Sequence, residues 1–358
     1  MPRKYADLAP QLVDLEDGTN AWSFEGGAHL HLFGLENVGG KDPAELSWRV
    51  RFDDLPTAYH EPKARLQAME VDGIDTGLFF PSVAGHCSVI HDDDLYLECL
   101  RAYNDMAWDW CQDGDPNRML PTALIPVLGL EPAMNELARV AKKGFRHFQF
   151  FLSPTGGPFP TPADDPFWAL AAEMGIVVSM HGGGRGRVKM SAEAVAAARK
   201  QPVVPRPPDS QIPIAAGRAA GLGAPQSLAL MLGTGVLERH PNLKVALIET
   251  SAGWLPSMLE RMDAEHTQHR WLSDDSLPLM PSEYFQRQVK ISIDREIAGV
   301  KHRHQIGVDN LMFGTDFPHI GAYYPHTRHY VDLAFDGVPE DEVTAILWDN
   351  AAEFFGVN

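Results

Sequence analysis

GGAHLHLFG, residues 26–34, carries the reading that decides the fold. An apolar run flanks a His-x-His pair, and side chains alternate faces along a strand, so His29 and His31 share one face. Two imidazoles on one face can serve one metal ion. Two further stretches repeat the arrangement of an apolar run closed by a ligand residue. In GIVVSMHGGG, residues 175–184, His181 closes Ile176-Val177-Val178-Ser179-Met180; in NLMFGTDFPH, residues 310–319, Asp316 follows Leu311-Met312-Phe313-Gly314-Thr315. Three imidazoles and a carboxylate at strand C-termini suit one divalent ion with an open coordination position, which is an enzyme's arrangement.

Working outward, strand-like runs lie near 26–32, 75–81, 120–127, 145–150, 176–181, 244–250, 289–293 and 311–315. Segments with helical spacing of apolar positions separate them, at 60–72, 93–112, 131–142, 166–174, 226–239, 254–270, 296–306 and 339–349. Repeated strand–helix alternation predicts an α/β protein with a parallel sheet, and eight pairs fit a (β/α)8 TIM barrel. No Gly-x-Gly-x-x-Gly turn follows the first strand, which disfavours a doubly wound nucleotide fold. Residues 33–59 and 182–225 are too long for plain turns and read as pocket walls, since long loops after barrel strands build substrate sites. The expected organisation is an N-terminal arm, 1–24, and a single barrel domain, 25–358.

The 358 residues carry a formal net charge of −18, against the basic stripe that nucleic-acid binding needs. A cleft inside an acidic shell can still be locally positive, so an anionic substrate fits. The opening MPRKYADLAP has no signal-peptide core and no apolar run is long enough for a bilayer, so a cytoplasmic protein is expected. Cys87, Cys99 and Cys111 are three and lack Cys-x-x-Cys spacing, which reads as free thiols.

Each candidate also has a plainer reading. Asp316 alone is a turn carboxylate; with the histidines it is a metal ligand or takes a proton from bound water. His319 is either its supporting partner or a loop histidine. Glu249 closes KVALIE, where an unpaired carboxylate is costly to bury, so it is an ion-pair member or an acid–base group. Arg185 and Arg187, in the glycine-rich loop after His181, offer the planar fork that suits a substrate carboxylate. Arg51 and His86, each on a loop after a strand, are weaker substrate-binding candidates, and Trp254 is expected to pack at a helix start. Lys142 and Lys143 precede the fourth strand rather than closing it, leaving no source for a lysine bridge between two metals, so one ion is expected.

The chain resembles the aminocarboxymuconate-semialdehyde-decarboxylase-like branch of the amidohydrolase superfamily. The resemblance runs from AHLHLF (28–33) to DNAAEFFGV (349–357) through YHEPKARLQAMEVDGID (59–75), AYNDMAWDWC (102–111) and DPNRMLPTALIP (115–126). Its most specific stretches are HPNLKVALIETSAGWLPSMLERMD (240–263) and DNLMFGTDFPH (309–319). It implies a metal-dependent barrel with His29, His31, His181 and Asp316 as ligands of one zinc or manganese ion, often in a homodimer. The branch's decarboxylases usually place histidine where this chain has Glu249, and Asp or Ile where it has Ala28.

Two chemistries share such a site. A lyase would remove carbon dioxide from a small aromatic or dienoic carboxylate, with Glu249 or Asp316 as proton donor. A hydrolase would direct a metal-activated water at a carbon–carbon, amide, ester or lactone bond. A binding protein with a structural metal is the non-enzymatic alternative, and it requires a closed four-ligand site.

Overall fold

A computed structural model describes residues 1–42, 45–150, 153–157, 160–181, 187, 190–201, 223–272 and 277–357. The chain divides into two compact units. One comprises 1–126, 185–211 and 316–328; the other comprises 127–184, 212–315 and 329–358.

The first unit opens with three strands, β1 (Gln11–Asp14), β2 (Asn20–Phe24) and β3 (His29–His31), in antiparallel order β1-β2-β3. The β1–β2 turn is pinned by Asp17, whose carboxylate accepts from the Thr19 backbone and hydroxyl and pairs with Arg49 at 2.5 Å. Between β2 and β3, Glu25, Gly26 and Gly27 all have positive φ (53°, 67° and 91°). That left-handed turn is why the ordered strand starts at His29 and is shorter than the expected 26–32 run. Its neighbour is β2, with Trp22 opposite His31 and Phe24 opposite His29. The loop after β3 folds back tightly, and any side chain at Gly34 would strike the Ser47 and Trp48 carbonyls.

Two long helices come next in the chain. Pro62–Asp72 starts with proline at its first position, where no amide is needed, and stops at Gly73, φ 73°. Asp93–Asp113 is capped by Asp92, whose side chain accepts from the Leu95 amide. They enclose a core of Met69, Cys111 and Met119, with Leu66, Ile74, Phe79 and Trp110 packed on it. Here β4 (Gly77–Phe79) pairs in parallel with β5 (Met119–Pro121). The expected 120–127 strand is thus split, β6 being only Ala123–Leu124, held by the buried Asn104 amide on both Leu124 backbone groups.

In the second unit β7 (His147–Phe150), β8 (Val177–His181), β9 (Val245–Ile248), β10 (Val289–Ile293) and β11 (Leu311–Phe313) are parallel neighbours in the order β11-β10-β9-β8-β7. Their interiors are buried on both faces, as in Val177, Val178, Ser179 and Met180 of β8, so their sequences are continuous rather than alternating apolar runs. The helices Leu130–Lys143, Asp165–Glu173, Ala224–Gly233, Leu255–His269 and Pro281–Gln288 lie between strands in the chain. The expected 226–239 helix breaks at Gly235, φ 76°, before a short turn Val236–Arg239. The expected 296–306 helix is likewise two pieces, Ile297–Lys301 and Arg303–Ile306. Within the 182–225 excursion the described residues include the helix Ala192–Lys200, which belongs to the first unit. Cys87, Cys99 and Cys111 are buried free thiols, as expected. No helix among the described residues is long and apolar enough to cross a membrane.

Candidate metal and acid–base site

The second unit brings His181 and Glu249 together. His181 ends β8, and its register partner on β9 is Ile248, so the next residue of β9's strand direction, Glu249, lies beside it. Nε2 of His181 is 2.9 Å from Oε2 of Glu249, and Oε1 of Glu249 is 3.9 Å from Arg295. The chain turns sharply there: Glu249 has φ 55° and Ser251 φ 54°, and the Glu249 amide donates to the Ser292 hydroxyl of β10 at 3.0 Å. A non-glycine residue in this region stores strain, and such positions cluster at functional sites. Trp254 sits just before the helix Leu255–His269 and donates to the Thr250 carbonyl, which fixes the same turn.

In the first unit Asp316 shows the same backbone habit, φ 56°, which asparagine and aspartate tolerate better than other side chains. Its side chain is 6% exposed, and Oδ1 meets His319 Nδ1 at 2.7 Å. His319 Nε2 continues to the Ser82 hydroxyl at 3.3 Å. Ser82, His319 and Asp316 thus form a chain of exchangeable protons.

His31 Nε2 is 2.9 Å from Glu36 Oε1, its ring lies 3.7 Å from the His86 ring, and His86 Nε2 is 3.6 Å from the same oxygen. Burial pushes the Glu36 carboxyl up, but hydrogen bonds from His31 and His86 outweigh it and hold it down to about 2. His29 faces another pair. Its ring stacks on His91 at 5.3 Å, and Glu25 holds His91 through Nδ1 at 2.9 Å. Burial, then the neighbouring His91, lowers the His29 pKa, while Glu25 opposes the shift.

The other candidates have structural partners. Arg51 reaches the Gly18 carbonyl of the β1–β2 hairpin at 2.8 Å and its near neighbour Asp53 at 3.7 Å. Arg187 donates to Asp93 and the Ile90 carbonyl and covers the Tyr96 ring at 4.1 Å, with only 6% of its side chain exposed. Arg185 lies outside the described residues. Sequence reasoning missed Glu25, Glu36 and His91. The signal for the first was its place directly before the glycines of the His-x-His motif; for His91, a histidine opening HDDD at a helix cap. Neither can be told from a solvated side chain without its partner.

The amidohydrolase family's model matches residues 28–357. The chain belongs to that family. It is thereby a metal-dependent enzyme whose cofactor is a divalent metal ion. The donor set fits such an ion: within the first unit a nitrogen of His29 and a nitrogen of His91 lie within 4.8 Å of one another beside the Glu25 carboxylate, and His29 Nε2 is buried without a hydrogen-bond partner. No curated protein matches the chain. Among solved structures it is similar to an amidohydrolase from Mycobacterium avium subsp. paratuberculosis K-10, with 21% identity, a TM-score of 0.70, and coverage of 99% of this chain and 94% of that one. It is also similar to 2,6-dihydroxybenzoate decarboxylase from Rhizobium, with 22% identity, a TM-score of 0.58, and coverage of 82% and 87%. Dihydroxybenzoic acid decarboxylase from Polaromonas sp. JS666, solved with manganese and 2-nitroresorcinol, shares 20% identity, a TM-score of 0.62, and coverage of 86% and 91%. At these identities the likeness is one of fold, and the family's fold is the α/β (β/α)8 barrel class expected from the strand–helix alternation.

Proposed function

We propose that the chain is a mononuclear, metal-dependent lyase that removes carbon dioxide non-oxidatively from a small aromatic or dienoic carboxylate. The observation that carries the reading is the buried Asp316 carboxylate bonded to His319, on a strained backbone just after β11. Decarboxylation of this kind needs a group that delivers a proton to carbon, and a carboxyl coupled to an imidazole can do so repeatedly. Family membership and the fold shared with two decarboxylases of dihydroxybenzoates support the substrate class.

His29, His31, His181 and Asp316 are the residues proposed to hold the ion, zinc or manganese. When bound, the ion supplies a Lewis acid for the carboxylate and a neighbouring oxygen of the substrate. Glu249, through its contact with Nε2, orients the His181 imidazole, the role a supporting carboxylate plays for a ligand histidine. Arg185 is proposed to hold the substrate's anionic group. Asp316 then gives its proton to the carbon that bears the carboxylate. The carbon–carboxylate bond breaks, its electron pair stays on that carbon, and carbon dioxide leaves. His319 restores the proton to Asp316, and the Ser82 hydroxyl at 3.3 Å extends that path outward.

The same reading takes 25–358 as the catalytic domain behind an arm, 1–24, in a cytoplasmic homodimer. The decisive experiment incubates manganese- or zinc-loaded protein with dihydroxybenzoates and related carboxylates in deuterated water. Carbon dioxide release with one deuterium at the vacated carbon is the expected result. Oxygen from labelled water in the product, without carbon dioxide, would show a hydrolase instead.

A further inference from the structure

Glu25 and His91 have no part in the proposed chemistry, yet they form a deeply held polar pair in the first unit. Glu25 is 2% exposed, and the His91 side chain is 8% exposed. One carboxylate oxygen of Glu25 accepts from the His91 amide at 3.1 Å and contacts Nδ1 at 2.9 Å; the other accepts from the Asp92 amide at 3.1 Å. Arg199 anchors the same residue, donating to the Glu25 carbonyl at 2.7 Å and standing 3.5 Å from Oε1. The arginine balances the carboxylate's charge. A carboxylate only accepts, so Nδ1 of His91 is the protonated nitrogen and Nε2 carries the lone pair.

That Nε2 is buried and has no hydrogen-bond partner. Nor has Nε2 of His29, whose ring stacks on His91 with centroids 5.3 Å apart and planes 22° apart. Leaving one such group unpaired costs about 1–3 kcal/mol, and here the two belong to stacked rings that each bring a nitrogen within 4.8 Å of the other's. A single ion with two vacant positions for nitrogen would satisfy both. The arrangement of carboxylate, imidazole and ion is the one that fixes tautomer and ring orientation at metal sites. Glu25 itself is spent on amide and imidazole donors, so it is the orienting group rather than a ligand.

We propose that His91, oriented by Glu25, is a further metal-ligating residue, binding together with His29 the divalent transition-metal ion that His29 holds. The inference rests on the reading of His29 as a ligand. It adds a donor from outside the His29, His31, His181 and Asp316 set, and gives the strained Glu25 turn a task.

The test measures cobalt(II) binding to the metal-free full-length chain by titration calorimetry and by the ligand-field absorption band. His91→Gln removes a ligand, so it should weaken cobalt affinity by more than the roughly 10–100-fold typical of losing a supporting partner such as Glu25, and shift the band. Glu25→Gln should give a smaller loss without moving the band as far. In the unsubstituted protein labelled with nitrogen-15 at histidine, zinc should move the His91 Nε2 resonance while Nδ1 stays protonated; this readout survives any folding defect in the variants. If His29→Asn loses the ion while His91→Gln keeps the parent's affinity and band, or if zinc leaves His91 Nε2 unmoved, the ligand role of His91 falls and that of His29 stands. If His29→Asn binds as the parent does, the reading of His29 falls, and this inference with it.

Discussion

His181 Nε2 and Glu249 Oε2 lie 2.9 Å apart at the C-terminal ends of two neighbouring parallel strands. The imidazole that the family pattern makes a metal ligand is therefore already oriented by protein. The carboxylate that departs from the decarboxylase pattern is the group that orients it.

Glu249→Gln keeps size and shape and removes the charge. Because glutamine is a weaker acceptor for the His181 N–H, the variant should bind its metal about 10–100-fold less tightly. At saturating metal its pH–rate profile should keep both limbs. Loss of a limb, with turnover down by roughly 10²–10⁴, would instead make Glu249 the acid–base group.

Asp316→Asn tests the proton donor. Asparagine tolerates the φ of 56° at this position, so the variant should fold, with an unchanged circular dichroism spectrum. Turnover should fall by roughly 10²–10⁴ even where metal analysis shows the ion retained. His319→Gln should lower turnover less, since it removes the relay rather than the donor.

His29→Ala and His31→Ala should each lower metal content by elemental analysis, from one ion per chain in the parent. Full occupancy in the doubly substituted protein would sink the ligand assignment. Two ions per chain would refute the mononuclear reading.

Arg185→Lys should raise KM for the carboxylate substrate with a smaller change in kcat, because a point charge cannot reproduce a bidentate fork. Unchanged KM in both Lys and Ala variants would show a solvated side chain.

Asp164 concerns stability alone. Its buried carboxylate accepts from the backbone and hydroxyls of Thr155 and Thr161, at 2.8–3.2 Å, and so ties Thr155 and Thr161 to the start of the helix Asp165–Glu173. Burial pushes its pKa up, but hydrogen bonds from Ser153, Thr161 and Thr155 outweigh that and lower it. A carboxyl lowered on folding contributes stability above its unfolded pKa of about 3.9, and the contribution is lost as pH falls through the lower folded value. Asp164→Ala should cost about 1–3 kcal/mol in denaturant melts at neutral pH, and its stability should vary less with pH in the acid range. An equal acid dependence in parent and variant would contradict this.

Much of the architecture was legible along the chain. The run Ile176–Met180 is apolar because both faces of β8 are buried, and helix 131–142 shows its period because only one face is. These patterns are set by near neighbours, so the sequence by itself determined element type, the α/β class and the family. It also supplied the candidate ligand residues at strand ends. Boundaries were less legible: the start of β3 depends on three consecutive left-handed residues from Glu25 to Gly27, and only two of them are glycine. Partnerships were decided by tertiary structure alone. Glu25 finds His91 66 positions away, and His181 finds Glu249 in a different strand, because packing and register place them there. No local period records such a pairing. The same packing set Arg187, a substrate candidate in the sequence, as a buried anchor on Asp93 and Tyr96. A side chain's chemistry is written in its residue type, but its protonation, orientation and task depend on what the fold sets beside it.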